Sequence, residues 1–182
     1  MEIRAMEISG VYEILLGNRS DERGDLTEIW SAGIRKSISD WNDFEVAQTN
    51  FVNSKLGVIR GIHRLVRNVP QRKVVYCAQG KIDDLIVDLR PESETFKKWL
   101  RIGMNEEKNS LLLIPHRIGH SFQTLTSNSK VIYQMDTIYQ PNAEININPF
   151  DEELGLIWTE EAMLSEKDSN ASSFSKFSED LL

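Results

Sequence analysis

The chain has one cysteine, Cys77, among 182 residues. A single thiol excludes an internal disulfide framework and fits a reducing compartment. Cys77 sits in the apolar run VVYCA, where a buried, inert thiol is expected rather than a nucleophile. Positive charge is also in short supply. The 21 Lys and Arg against 28 Asp and Glu leave a formal net charge of −7, which argues against a protein that coats nucleic acid. A small anionic ligand stays open, because a few converging cations suffice locally. No apolar run reaches the roughly 18 residues of a membrane-spanning helix. The N-terminus lacks a charged-then-apolar signal pattern. The expectation is a cytoplasmic chain that binds neither membrane nor nucleic acid.

Glycine and proline are sparse, at 10 and 5, and no internal repeat is visible. This length bounds the answer to one domain with a full core. We expect that domain over residues 1–168. The stretch 169–182, SNASSFSKFSEDLL, reads as a loose tail, with two Phe and a terminal Leu pair able to dock on a surface.

Short β-branched and aromatic runs fill the rest. They lie at Gly10–Leu16, Phe44–Phe51, Gly57–His63, Lys73–Ala78, Ile82–Leu89, Leu100–Met104, Ser110–Pro115, His120–Leu125 and Lys130–Tyr139. Polar turns separate them, and a hairpin around Gly80 is the clearest local reading. Many short strands at close spacing make an all-β sandwich or barrel. Short helices are expected near Thr27–Ile38 and Glu160–Glu166.

The chain has three histidines, and two stand in strand-like apolar runs. His63 lies in GVIRGIH with Arg60, and His120 lies in IGHSF. Residues three apart on a strand point to opposite faces unless a bulge re-aims one. Taken alone, His63 reads as a core histidine with a backbone partner. Two imidazoles beside a strand arginine point instead to a polar cavity inside a barrel. A metal site fits poorly. His116 precedes His120 by four and follows Pro115, and the residues after His63 are RLVRNVPQRK, with no Glu nearby. Asp83, Asp84 and Asp88 share one apolar strand, so at least one should pair with Arg60, Lys73, His63 or Arg90. Lys73 reads as an exposed strand start or, if turned inward, as a cation for a developing oxyanion. Gln48 and Asn50 share a face, and so do Tyr133 and Tyr139 on a regular strand.

Taken in order, DERG (21–24), QTNFVNS (48–54), VIRGIH (58–63), GKIDDLIVDLRPESETFKKW (80–99), LIPHRIGHSF (113–122), VIYQMDTIY (131–139), DEELGLIW (151–158) and LSEKD (164–168) resemble one family. It is the dTDP-4-dehydrorhamnose 3,5-epimerase family of cupin-fold nucleotide-sugar epimerases. The resemblance covers about Gly10 to Asp168. It implies a cupin-type jelly-roll β-barrel, a homodimer, a dTDP-4-keto-6-deoxy sugar as substrate, and no cofactor or metal. It implies His63 as base, Asp168 orienting its imidazole, Lys73 at the C4 oxygen, and Tyr133 as the acid on the opposite face. His120 is implied to bond the sugar, Arg23 and Arg60 to hold the diphosphate, Gln48 and Asn50 to contact the nucleotide, and Tyr139 to pack on thymine. Asp84 matches a buried carboxylate near the site, while Asp151 and Trp158 look structural.

Departures from the rhamnose-pathway pattern stand at Leu26, Arg64, Leu65, Arg117 and Ile138. They bear on the exact sugar and on whether one or two centres are inverted. The competing readings are a single-position epimerase, a metal-dependent cupin and a non-catalytic sugar-nucleotide binder. The apolar segment GVYEILL is expected to add as a strand to a neighbouring sheet in a dimer.

Overall fold

The computed structural model describes residues 1–177. Thirteen strands and two short helices follow in order: β1 (Glu2–Ala5), β2 (Tyr12–Leu15), β3 (Asn18–Asp21), β4 (Gly24–Thr27), α1 (Ala32–Lys36), β5 (Gln48–Ser54), β6 (Ile59–Leu65), β7 (Lys73–Gln79), β8 (Lys81–Asp88), β9 (Trp99–Asn105), β10 (Ser110–Ile114), β11 (Ile118–Thr124), β12 (Ser129–Met135), β13 (Glu144–Asn146) and α2 (Glu166–Ser169). A six-stranded sheet runs β1-β2-β10-β7-β12-β5. A five-stranded sheet runs β13-β6-β11-β8-β9, and β3 with β4 forms a separate hairpin. Every strand pairing within these sheets is antiparallel. This is the all-β jelly-roll sandwich expected.

Alternation along the strands divides the core into layers. Ile82 and Ile86 of β8 face inward with Val75, Leu112, Phe122 and Val131. Val87, one residue out of step, faces the other way with Ile62, Ile145, Ile147 and Phe174. A third cluster lays Ile34, Ile38, Trp41 and Phe44 over Ile14, Val74, Leu111 and Leu113 on the outer face of the six-stranded sheet. Trp41 and Phe44 are each 1% exposed. Burial of one such side chain stabilises by roughly 1.5–3 kcal/mol. That burial accounts for a helix of five residues, α1, surviving where propensity alone leaves it marginal.

Nine of the strands fall on the nine expected runs, within a few residues at each end. Four do not: β1, β3 and β4 are short and mostly exposed, and β13 is three residues with Ile145 alone apolar, so no apolar run marks them. The turn at Gly80 is present, with φ +80, but it is a corner and not a hairpin. β7 enters it from one sheet and β8 leaves it in the other. A Cβ there would lie 2.5 Å from Thr126 Oγ1, so packing requires glycine as firmly as the backbone does. The helix expected over Glu160–Glu166 is absent. Met163 instead donates its N–H to Gly57 O at 2.9 Å and accepts from Ile59 N–H at 3.0 Å, which holds that stretch extended. The helix comes later, as α2. The helix near Thr27–Ile38 is confined to α1, because Gly24–Thr27 pairs as β4.

GVYEILL is not a free edge. Its strand β2 lies between β1 and β10, and the exposed edge strand is β1. The stretch expected as a loose tail is packed as far as residue 177. Ser172 bridges Ile147, and Phe174 is 4% exposed. The terminal Leu pair lies outside the described residues. Among the described residues no helix is long and apolar enough to cross a membrane.

Candidate active site

The β6 strand holds the first piece. Its register against β11 pairs His63 with His120 but Arg60 with Phe122, three residues against two. The extra residue is a bulge at Gly61 and Ile62, and it brings Arg60 and His63 to the same cavity. Gly61 has φ +118, and a Cβ on it would stand 2.4 Å from His120 O. No other residue fits between β6 and β11 at that point.

The cavity has a volume of about 240 Å³ and opens between the two sheets. From the five-stranded sheet come Arg60, His63 and His120. From the six-stranded sheet come Asn50, Lys73 and Tyr133. Asp168, on α2, closes one side. Its carboxylate is 4% exposed, and its Oδ1 stands 2.6 Å from His63 Nε2. Burial raises the Asp168 carboxyl, but the hydrogen bonds and charge of His63 and the bond from Ser165 outweigh it, so the group lies below its ordinary range. An ionised Asp168 only accepts. A neutral His63 therefore carries its proton on Nε2, and Nδ1 keeps a free lone pair.

A second imidazole–carboxylate pair stands beside the first. His120 Nε2 is 2.9 Å from Asp84 Oδ2, and both side chains are buried. Burial pushes His120 below its ordinary pKa, the charges of Lys73 and His63 add to that, and Asp84 opposes it. Asp84 Oδ1 is buried with no hydrogen-bond partner among the described residues. Lys73 is half-buried, and no hydrogen bond or ion pair holds it among the described residues. Desolvation lowers its ammonium to about 8, against the raising influence of Glu144 and Asp84. A cation held in this way meets a developing oxyanion without first breaking an internal pair. Tyr133 likewise has no hydrogen-bond partner among the described residues, and part of its ring packs on the inter-sheet core.

The other expected residues are placed unevenly. Asn50 lines the cavity, and Gln48 supports it by donating to Asn50 Oδ1 at 2.9 Å and accepting from Tyr139 N–H at 2.7 Å. Arg60 reaches the cavity with its Nε on Ser54 Oγ at 3.1 Å. Tyr139 lines the cavity, but it does not share a strand face with Tyr133, because β12 ends at Met135 and Tyr139 lies in the following loop. Arg23 is not brought to the cavity within one chain. It sits in the β3–β4 turn, exposed, and pairs with Asp21 at 2.5 Å. His116 also lies outside the cavity, half-buried, and burial lowers its pKa. Of the three strand carboxylates, Asp88 makes the expected pair with Arg90 through two bonds of 2.8 Å, while Asp83 takes the Thr159 hydroxyl. Among the described residues no three His, Cys, Asp or Glu side chains are grouped to hold a metal ion.

Four polar lining residues escaped the sequence reading: Glu144, Ser165, Lys167 and Gln71. Ser165 was findable. Ser followed three residues later by an acid is a helix-capping pattern, and Ser165 Oγ accepts from Asp168 N–H at 3.1 Å. Glu144 carries no such signal. It accepts from Tyr139 Oη at 3.0 Å and pairs with Lys167. Arg64, noted only as a departure, lines the same cavity and is 3% exposed. Burial, with Arg117 and Arg67 nearby, lowers it to about 10.

The family model for dTDP-4-dehydrorhamnose 3,5-epimerase matches residues 5–176. A dTDP-4-dehydro-6-deoxyglucose 3-epimerase of a Streptomyces species is 36% identical over 154 residues, covering 84% of this chain and 78% of that protein. A dTDP-4-dehydrorhamnose 3,5-epimerase of Mycolicibacterium smegmatis is 32% identical over 178 residues, covering 97% and 87%. The crystal structure of a dTDP-6-deoxy-D-glucose-3,5-epimerase from Legionella pneumophila with dTDP-4-keto-L-rhamnose superposes with a TM-score of 0.93 at 28% identity, over 100% of this chain and 96% of that one. The chain belongs to the dTDP-4-dehydrorhamnose 3,5-epimerase family.

Proposed function

We propose that this member of the family inverts C3 and C5 of a dTDP-4-keto-6-deoxy sugar by removing and returning protons, with no cofactor. The observation that carries the reading is His63 and the Tyr133 phenol on opposite sheets of one cavity, with Lys73 on the phenol's side, and neither the phenol nor the lysine side chain paired among the described residues. The C4 ketone acidifies the hydrogens on C3 and C5. His63 Nδ1 takes a proton, and Asp168 stabilises the imidazolium that results. Lys73 stabilises the negative charge that moves onto the C4 oxygen. Tyr133 returns a proton from the other face, which inverts the carbon. His120, held by Asp84, offers its free Nδ1 to a sugar hydroxyl. Arg60 meets the diphosphate, Asn50 and Gln48 the nucleotide, and Tyr139 the base.

Arg23 stands outside its own cavity, and only a second copy would bring it to the diphosphate. The homodimer reading is supported by β1 as an edge strand and by exposed Leu26 on the same hairpin as Arg23. The single buried thiol, Cys77, is pushed up to about 11 by burial and suits a cytoplasmic enzyme.

The test is incubation with dTDP-4-keto-6-deoxyglucose in heavy water. Deuterium at both C3 and C5 is the expected result. Deuterium at one carbon alone selects the single-position epimerase, a reading favoured by the 36% identity to a 3-epimerase. Deuterium at neither carbon overturns proton transfer on this substrate.

A further inference from the structure

Asp168 is 105 residues from His63 in the chain, yet the two meet at 2.6 Å. It rides on α2, a helix of four residues, which has no stability of its own. Its position is therefore set by whatever fixes the strap on either side. Upstream, Met163 is bonded in both directions to β6 and its approach, through Gly57 O and Ile59 N. Gly57 has φ +77, and a Cβ on it would stand 2.3 Å from Glu161 O, so the strap lies directly against the chain that leads into the base-bearing strand.

Downstream the anchor is on the outer face of the five-stranded sheet. Asn148 N–H donates to Ser172 O at 2.9 Å. Two residues later Phe174 is buried with Ile62, Val87 and Leu154, its ring 6.2 Å from that of Phe96. The Phe174 N–H donates to Asp151 Oδ2 at 2.8 Å. Asp151 Oδ1 takes the N–H groups of Glu153 and Leu154 at 3.0 and 3.3 Å. Both oxygens of this buried carboxylate are thus bonded to backbone, and it makes no ion pair among the described residues. Ile62, in the same buried cluster as Phe174, is the neighbour of His63 on β6.

We propose that Phe174 and Asp151 are positioning residues for the base: they hold the strap so that the Asp168 carboxylate meets His63 Nε2, and they act on the reaction only through Asp168. This rests on the reading of His63 and Asp168 as the base and its partner. It assigns a task to a segment that looked like a loose tail and to an acid that looked merely structural.

The experiment is a double-mutant cycle on the full chain, read as kcat and KM for exchange into dTDP-4-keto-6-deoxyglucose in heavy water. Phe174→Ala is expected to lower kcat about 10-fold with KM little changed, a magnitude in keeping with loss of a group that orients a reactive side chain. Phe174→Leu restores most of that loss. In an Asp168→Asn background, Phe174→Ala adds nothing further, because the two act through one contact. Asp151→Asn gives the same pattern and serves if Phe174→Ala fails to fold. Losses that multiply in the double variant, or a folded Phe174→Ala with wild-type kcat, overturn the proposal. Wild-type kcat in Asp168→Asn overturns the reading of the pair itself.

Discussion

The two walls of the cavity are built on opposite plans. On the five-stranded sheet both imidazoles are tied by Nε2 to buried carboxylates, His63 to Asp168 at 2.6 Å and His120 to Asp84 at 2.9 Å. On the six-stranded sheet Lys73 and Tyr133 reach the same cavity with no hydrogen bond or ion pair among the described residues. The difference fits the roles proposed for the two walls. A base must present one nitrogen in one tautomer before substrate arrives, and a carboxylate behind it sets that state. A cation and an acid that act on charge developed during the reaction lose strength if an internal partner holds them first.

Removing the base breaks the prepared wall. His63→Ala is expected to cost about 10³- to 10⁴-fold in exchange at both carbons, at the upper end of general-base effects. Retention of exchange within tenfold of wild type would contradict its role. Removing the cation probes the unpaired wall. Lys73→Met is expected to cost about 10²- to 10³-fold in kcat, as for loss of an oxyanion donor. The same side chain supplies a smaller, sharper test. Its ammonium is lowered from 10.5 to about 8, so the protonated fraction falls as pH rises through about 8, and kcat/KM of the wild type declines there. The unfolded chain keeps that proton to about 10.5, so between these values folding gains stability from this group as pH rises. A decline accompanied by a rising melting temperature fits Lys73. An activity profile flat from pH 7 to 9.5 contradicts it.

How far the two walls were legible in the sequence also differs. His63, Lys73, His120 and Tyr133 lie in apolar runs that read as strands, and strand order brings them together. Asp84 was legible as a carboxylate in an apolar strand that had to find a partner. The bulge at Gly61 was legible only as a requirement, since Arg60 and His63 could not otherwise share a face. The contact of Asp168 with His63 has a sequence separation of 105 and no local periodicity behind it. Motif resemblance named it, while chain pattern read the stretch beyond it as a tail. Phe174 was seen only as able to dock on a surface, because a single aromatic among serines carries no period. Arg23 and Leu26 sit on a hairpin, β3–β4, that stands apart from the two main sheets, which is why Arg23 pairs with Asp21 and does not line the cavity of its own chain.

Inversion by the proposed route needs both walls, with His63 removing the proton on one side and Tyr133 returning it on the other. Tyr133→Phe separates the two acts. With dTDP-4-keto-6-deoxyglucose in heavy water, the variant is expected to exchange hydrogen at C3 and C5 within about tenfold of the wild-type rate, since the base is intact. Inversion is expected to fall by about 100-fold, in the range of a lost general acid. Deuterium incorporated with retained configuration is the predicted result. Inversion at the wild-type rate, or equal loss of exchange and inversion, would contradict the account.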